Sequence, residues 1–147
     1  MFSATSAKAD QDGTKDTVAN IRETGVFCVN IVSEKQLSEM NKSSEALSKE
    51  IDEFEFSDIE KQECNAINCS LVAGGPAALE CKMIQIVKLS GQANFAVFGQ
   101  VIGIHMRDDC IIDGRFEIKM YNPVSRLGYR DYAIIKDYFE LRRPDDN

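Results

Sequence analysis

Two polar segments hold the residue types that could do chemistry. Near the start of the chain, Ser3, Thr5, Ser6, Lys15, Thr17 and Asn20 cluster around the beginning of an expected helix. Hydroxyls and a lysine ammonium beside the free N–H groups of a helix N-terminus make an anion site, because the donors and the positive end of the helix dipole converge there. The same residues also suit a capped helix on a polar loop, since such caps are common. The second segment runs Pro123-Val124-Ser125-Arg126-Leu127-Gly128-Tyr129-Arg130-Asp131-Tyr132. An arginine, a glycine and aromatic rings on one loop could hold a flat or anionic ligand by charge and stacking. An ordinary loop with tyrosines at its rim accounts for them equally.

Other chemistries lack their residues. There is no GxGxxG, no P-loop and no GxSxG elbow, so no nucleotide-binding Rossmann unit, Walker site or esterase nucleophile is supported. The single histidine, His105, limits metal and triad chemistry. Cys28, Cys64, Cys69, Cys81 and Cys110 are odd in number and contain no CxxC pair, so they read as buried or idle thiols rather than a disulfide framework. The acidic stretch Asp52, Glu53, Glu55, Asp58, Glu60 and Glu63 lacks the turn glycines of an oxygen-ligand loop and reads as a solvated face. With 17 basic and 24 acidic residues the chain carries a net charge of −7, which repels a phosphate backbone and argues against nucleic-acid binding. Apolar runs are short and interrupted, and the first residues lack the basic start and apolar stretch of a secretory signal. No membrane span and a cytoplasmic location are therefore expected.

The elements that must position these residues follow from the pattern. The 147 residues suffice for one domain, expected to span 1–147, and a chain of this length buries roughly two-thirds of its unfolded surface. Residues 15–25 predict a short helix, with Thr14 or Asp16 as its cap, Val18 and Ile21 on one face, and Gly25 at its end. Val26 to Val32 predicts a buried strand. Ser33, with Gln36 three residues on, opens a second helix through Met40 as a capping box. One further helical turn is expected around Ala46-Leu47. Strands are expected over Ala78–Leu89, with Leu79, Cys81, Met83 and Ile84 as its apolar positions, and over Asn94–Met106, joined as a hairpin around Gly91. Gly99 and Gly103 suggest bends or bulges in the second. Cys110-Ile111-Ile112, the turn Asp113-Gly114 and Phe116–Met120 predict a small hairpin. A short helix is expected through Ala133 to Tyr138. The balance is mainly β: a small barrel or open sheet with small helices packed on it.

Together the two polar segments resemble those of the flavin reductase-like group of FMN-binding split-barrel proteins. The resemblance is carried by Lys15-Asp16-Thr17-Val18-Ala19-Asn20-Ile21-Arg22-Glu23-Thr24-Gly25-Val26-Phe27-Cys28-Val29-Asn30, then by Met40-Asn41, Asp52-Glu53-Phe54, Pro76 and Leu79-Glu80-Cys81. It continues through Gly99-Gln100-Val101, His105-Met106-Arg107-Asp108-Asp109, and Arg126-Leu127-Gly128 with Tyr132. It implies a Greek-key split β-barrel that forms a homodimer and binds FMN, with FAD as the alternative flavin, near the subunit interface. It further implies that Ser3, Ser6, Lys15, Asp16 and Thr17, with Asn20 beside them, hold the phosphate, that Arg126 and Gly128 lie near the flavin, and that His105 borders it.

The implied activity is hydride transfer from NAD(P)H to flavin, with a partner monooxygenase or another electron acceptor downstream. In the family several strands precede the stretch resembling Met1-Phe2-Ser3-Ala4, so the expectation is an N-terminally shortened member. Gly75 stands where relatives often have Ser, and Asp10-Gln11-Asp12-Gly13 lengthens the phosphate loop. A truncated non-catalytic paralogue, and an FMN-binding electron carrier or ferric reductase on the same fold, are the alternatives.

Overall fold

Val26-Phe27-Cys28-Val29-Asn30 has the β-branched and aromatic character of a half-buried strand, and it pairs antiparallel with Ala78–Lys82. The computed structural model describes residues 1–5 and 14–145. Its elements are β1 (Phe2–Ala4), α1 (Asp16–Thr24), β2 (Val26–Asn30), a 3-10 turn at Glu34–Gln36 leading into α2 (Leu37–Lys42), α3 (Glu53–Phe56), β3 (Lys61–Glu63), β4 (Ser70–Val72), β5 (Ala77–Lys88), β6 (Phe95–Met106), β7 (Ile111–Ile112), β8 (Arg115–Phe116), β9 (Val124–Gly128) and β10 (Asp131–Ile134). The protein is mainly β, with a curled half-barrel sheet in the order β1-β6-β5-β2 and three two-stranded hairpins, β3–β4, β7–β8 and β9–β10, around it.

The long β5–β6 hairpin is the frame. Its turn closes by Leu89 N–H to the Asn94 carbonyl at 2.8 Å, with Gly91 at φ 105°. Two register shifts curl it, one between Glu80 and Cys81 and one between Met83 and Gln85. Both lie opposite the glycines expected to mark bends. A Cβ on Gly99 would stand 2.5 Å from the Phe27 ring, and one on Gly103 3.1 Å from the Glu80 carboxyl carbon, so Gly99 makes room for a β2 side chain that reaches across β5, and Gly103 for a side chain of the adjacent β5. The second shift also corrects the expected core: Ile84 is 66% exposed, because the extra residue at the bulge breaks the alternation that would have turned it inward.

α1 lies on this sheet through Val18 and Ile21, which join Phe27, Cys81, Phe95 and Val97 in the core. Each buried side chain of that size contributes about 2 kcal/mol. The Arg22 guanidinium covers the Phe95 ring at 4.7 Å, and Phe2 meets Phe27 edge to face at 5.5 Å. Gly25 ends the helix in the left-handed region, as expected. At Ser33 the backbone N–H and the hydroxyl both donate to Gln36 Oε1, at 3.4 and 3.0 Å.

Four expectations are corrected. The N-cap of α1 is Lys15, whose side chain makes no cap hydrogen bond. The helical turn expected at Ala46-Leu47 falls instead at Glu53–Phe56, where Asp52 accepts from Phe54 N–H at 2.9 Å and supplies the cap that Ala46 lacks. Only Arg115 and Phe116 pair back in the Asp113-Gly114 hairpin, since Glu117 caps a 3-10 turn at Ile118–Met120. Ala133 and Ile134 extend as strand rather than helix, because Gly128 and Tyr129, both at positive φ, turn the chain back onto β9.

The close approach at Gly99 yields a prediction. Gly99→Ala forces the buried Phe27 ring to move and costs about 1–3 kcal/mol of overpacking. Urea unfolding should show the midpoint falling with an unchanged slope, and an unchanged midpoint would refute the packing.

Candidate functional site

The Lys15 side chain makes no cap hydrogen bond at the start of α1, which leaves its ammonium out of the helix ladder. Lys15 occupies the cap position in extended conformation, and the Val18 and Ala19 N–H groups donate to its carbonyl at 3.0 and 3.1 Å. Lys15, Thr17 and Asn20 are exposed, whereas Thr14 is buried. The helix presents an ammonium, a hydroxyl and the N–H-rich end of its dipole. A phosphate supplies acceptors of the charge and size that this donor set lacks, so the residues present fit the head group of FMN.

Asp16, Thr17 and Asn20 also line a cavity of about 400 Å³ whose far wall is Ser48 to Phe54. That wall is anchored by Asp52, which caps α3 and forms an ion pair with Lys61. The Lys61 hydrogen bond holds the Asp52 carboxyl below its ordinary range. Glu50, Asp52, Glu53 and Asp16 make the cavity acidic, with Lys49 the one lysine on its wall. An anion is favoured at the Lys15 end, and groups that donate hydrogen bonds are favoured along the wall. Ser3 lies in the middle of β1, exposed and paired with Ala96. Ser6 lies outside the described residues, as does the Asp10–Gly13 insert.

His105 is placed elsewhere. It lines a second cavity of about 400 Å³, with Gln62, Gly74, Gly75 and Arg107 among its walls. Its Nε2 donates to Glu80 Oε1, and the same carboxylate accepts from Asn65 N–H at 2.8 Å and Ala66 N–H at 2.7 Å. Burial raises the Glu80 carboxyl, but the His105 ring and the two backbone donors outweigh it and hold the pKa at about 2, against an ordinary 4.5. Arg107 donates to the Gly74 carbonyl at 2.9 Å and pairs with Asp109. A Cβ at Gly75 would stand 3.3 Å from the Val72 carbonyl, so a serine at this position would press on the turn.

Arg126 and Gly128 are on the β9–β10 hairpin. The Arg126 guanidinium donates to the Tyr129 carbonyl at 2.9 Å and lies 5.7 Å from the Tyr132 ring. Tyr132 lines a third cavity with Leu37 and Asn41. The structure thus brings Asp16, Thr17 and Asn20 together on one wall, and seats His105 and Arg126 beside other cavities. Sequence reasoning missed Glu80 and the Asp52–Lys61 pair. The one available signal for Glu80 was a carboxylate inside an apolar strand. Among the described residues no group of three or more His, Cys, Asp or Glu side chains is arranged to hold a metal, and no helix is long and apolar enough to cross a membrane.

Glu80 yields a pH prediction. A carboxyl that ionises at about 2 in the fold and 4.5 outside it adds stability that is complete above pH 4.5 and lost as the pH falls through about 2. In denaturant unfolding, Glu80→Gln should be less stable than the parent at neutral pH, and the gap should close between 4.5 and 2. A gap independent of pH would contradict the arrangement.

Residues 11–117 match the family model described as flavin reductase like domain. An uncharacterised protein of Halalkalibacterium halodurans is 32% identical over 139 residues, which cover 90% of this chain and 66% of that protein. The chain therefore spans just under two-thirds of that relative's length. Nitrilotriacetate monooxygenase component B from Bacillus cereus superposes with a TM-score of 0.85 at 26% identity, covering 95% of this chain and 69% of that one. The 2-nitrobenzoate 2-nitroreductase of Pseudomonas fluorescens superposes with a TM-score of 0.79 at 28% identity, covering 90% of this chain and 66% of that one. With the split-barrel fold and most of its length matched, this chain belongs to the flavin reductase like domain family.

Proposed function

We propose that this chain binds FMN and serves a flavin reductase-type oxidoreductase that passes hydride from NAD(P)H to flavin. The observation that carries the reading is the start of α1, where Lys15 and Thr17 stand exposed and Asp16, Thr17 and Asn20 line a cavity. Lys15 neutralises the phosphate, the Thr17 hydroxyl and the first-turn N–H groups donate to it, and Ser3 and Ser6 complete the cradle. Asn20, Asp16 and Glu50 offer acceptors to the hydroxyls of the ribityl chain along the cavity. FAD is the alternative flavin, since a helix start can receive a diphosphate as well as a terminal phosphate.

When bound, the isoalloxazine supplies the hydride-accepting centre, and the protein's part is to orient it and exclude water. His105 and Arg126, with Gly128, are assigned to the border of the ring. Glu80 fixes the His105 Nε2 proton, so the ring offers its Nδ1 edge. The Tyr129 carbonyl steadies the Arg126 guanidinium. Phe98, Val101, Ile104 and Met106 are exposed on β6, an apolar surface that a second copy of the chain would cover in a homodimer. The Bacillus cereus neighbour is a monooxygenase component, so a monooxygenase that uses reduced flavin is the proposed acceptor. The five unpaired thiols suit a reducing cytoplasm.

Titrating the chain into FMN and following flavin fluorescence tests the binding. The parent should quench the signal, and Lys15→Ala with Thr17→Ala should weaken affinity by about 10–100-fold, the loss expected for one or two charge-assisted hydrogen bonds. No quenching by the parent, or equal quenching by the double variant, would overturn the proposal.

A further inference from the structure

Three carboxylates that the proposed function does not use meet at a fourth cavity, of about 360 Å³. Its walls are α2 with the turn before it, the residues 58–60 that lead into β3, and the ends of β2 and β4. Glu39 stands on the α2 wall, and Asp58 and Glu60 on the wall before β3. Ile31, Val32, Met40, Ile59 and Val72 make the rest of the lining largely apolar. Among the described residues Lys35 is the one cation that lines it. The walls are fixed in advance, because Val72 N–H donates to Asn30 Oδ1 at 2.9 Å, Ala73 N–H to the Glu60 carbonyl at 3.0 Å and Ile59 N–H to the Phe54 carbonyl at 2.9 Å.

Glu39 is the group that asks for a ligand. One of its carboxylate oxygens, Oε2, is shut off from water and accepts no hydrogen bond. Buried polar atoms are almost always bonded, so an oxygen left this way marks a carboxylate that has lost hydration and gained nothing in exchange. The polar side chains around it are engaged elsewhere. Asn30 Oδ1 accepts from Val72, Gln36 Oε1 accepts from Ser33, and the Ser43 hydroxyl donates to the Met40 carbonyl at 2.9 Å. A partly dehydrated carboxylate attracts a cation more strongly than a surface carboxylate does, since less water screens the pair.

We propose that this cavity binds a small organic cation, an ammonium or amidinium carried on an apolar body, with Glu39 as its counter-charge. The N–H groups of the cation bond the Glu39 carboxylate, Asp58 and Glu60 add to the negative field, and the apolar body lies against Ile31, Met40 and Val72. The volume is in the range of small-molecule sites, which begin at roughly 300 Å³. A bare metal ion does not suit the lining: among the described residues no group of three or more His, Cys, Asp or Glu is arranged to hold one, and the apolar side chains offer nothing to a hydrated ion. An anion is repelled by the three carboxylates. Asp16, Thr17, Asn20, His105 and Arg126 line other cavities or none, so this site stands apart from the proposed flavin site and needs no flavin.

The test titrates benzamidine, an amidinium on a phenyl ring, into the full-length chain and follows the backbone amide resonances. Saturable shifts should fall on residues 35–43, 58–60 and 72–73. Benzyl alcohol, which carries the ring without the charge, should bind about tenfold more weakly, and benzoate should not bind there. Glu39→Gln should weaken benzamidine by about tenfold, the loss of one charge-assisted hydrogen bond. Glu23→Gln, which removes an exposed carboxylate of α1, should leave its affinity unchanged. The absence of saturable shifts, benzyl alcohol or Glu39→Gln matching the parent with benzamidine, or shifts confined to the acidic cavity beside α1 would overturn the proposal. The comparison of benzamidine with benzyl alcohol uses the unaltered chain, so it reads out even if Glu39→Gln disturbs folding.

Discussion

A buried carboxylate organises this molecule. Glu80 has no exposed surface, and a carboxylate so placed is tolerated only when its oxygens are bonded. They are met by two backbone N–H groups of the β3–β4 turn and by the His105 ring, and Gly103 leaves the space in which they meet. The hairpin on the other side of this contact has strands of three residues each. Two strands so short are not stable alone, so the hairpin owes its position to what grips it. Through that grip Glu80 sets the wall of the His105 cavity.

The shape of the sheet depends on a related constraint, the fit of side chains over glycines of other strands in the sheet. Phe27 fills the space over Gly99 as Glu80 fills that beside Gly103, and a register shift lies next to each. The resulting curl gives α1 a concave seat for Val18 and Ile21. Burying those two positions turns Lys15, Thr17 and Asn20 outward on the same helix, so the packing of the core and the display of the anion-binding residues are one event.

Local chemistry made much of this legible beforehand. The apolar runs of β2, β5 and β6, the left-handed Gly25, the Ser33–Gln36 box and the Asp113-Gly114 turn each follow from residues close together in the chain. Asp16, Thr17 and Asn20 share a wall because they share one helical face, and spacing alone reveals that. What escaped was non-local. Lys61-Gln62-Glu63 is an exposed polar strand with no apolar face to announce it, and it pairs because β4 lies beside it. Ala133 and Ile134 join a hairpin because Gly128 and Tyr129 reverse the chain. Glu80 and His105 are 25 residues apart and meet only through the β5–β6 register, where Glu80 faces Gly103 and Ala78 faces His105.

The central functional claim is that the N-terminus of α1 is where a flavin phosphate docks. Backbone amide resonances of the protein, followed as FMN is added, address that claim residue by residue. The account predicts that the largest shifts fall on Asp16, Thr17 and Val18, whose N–H groups lie in the first helical turn. Shifts confined to the β9–β10 hairpin or to the residues around His105, with the start of α1 unmoved, would contradict it.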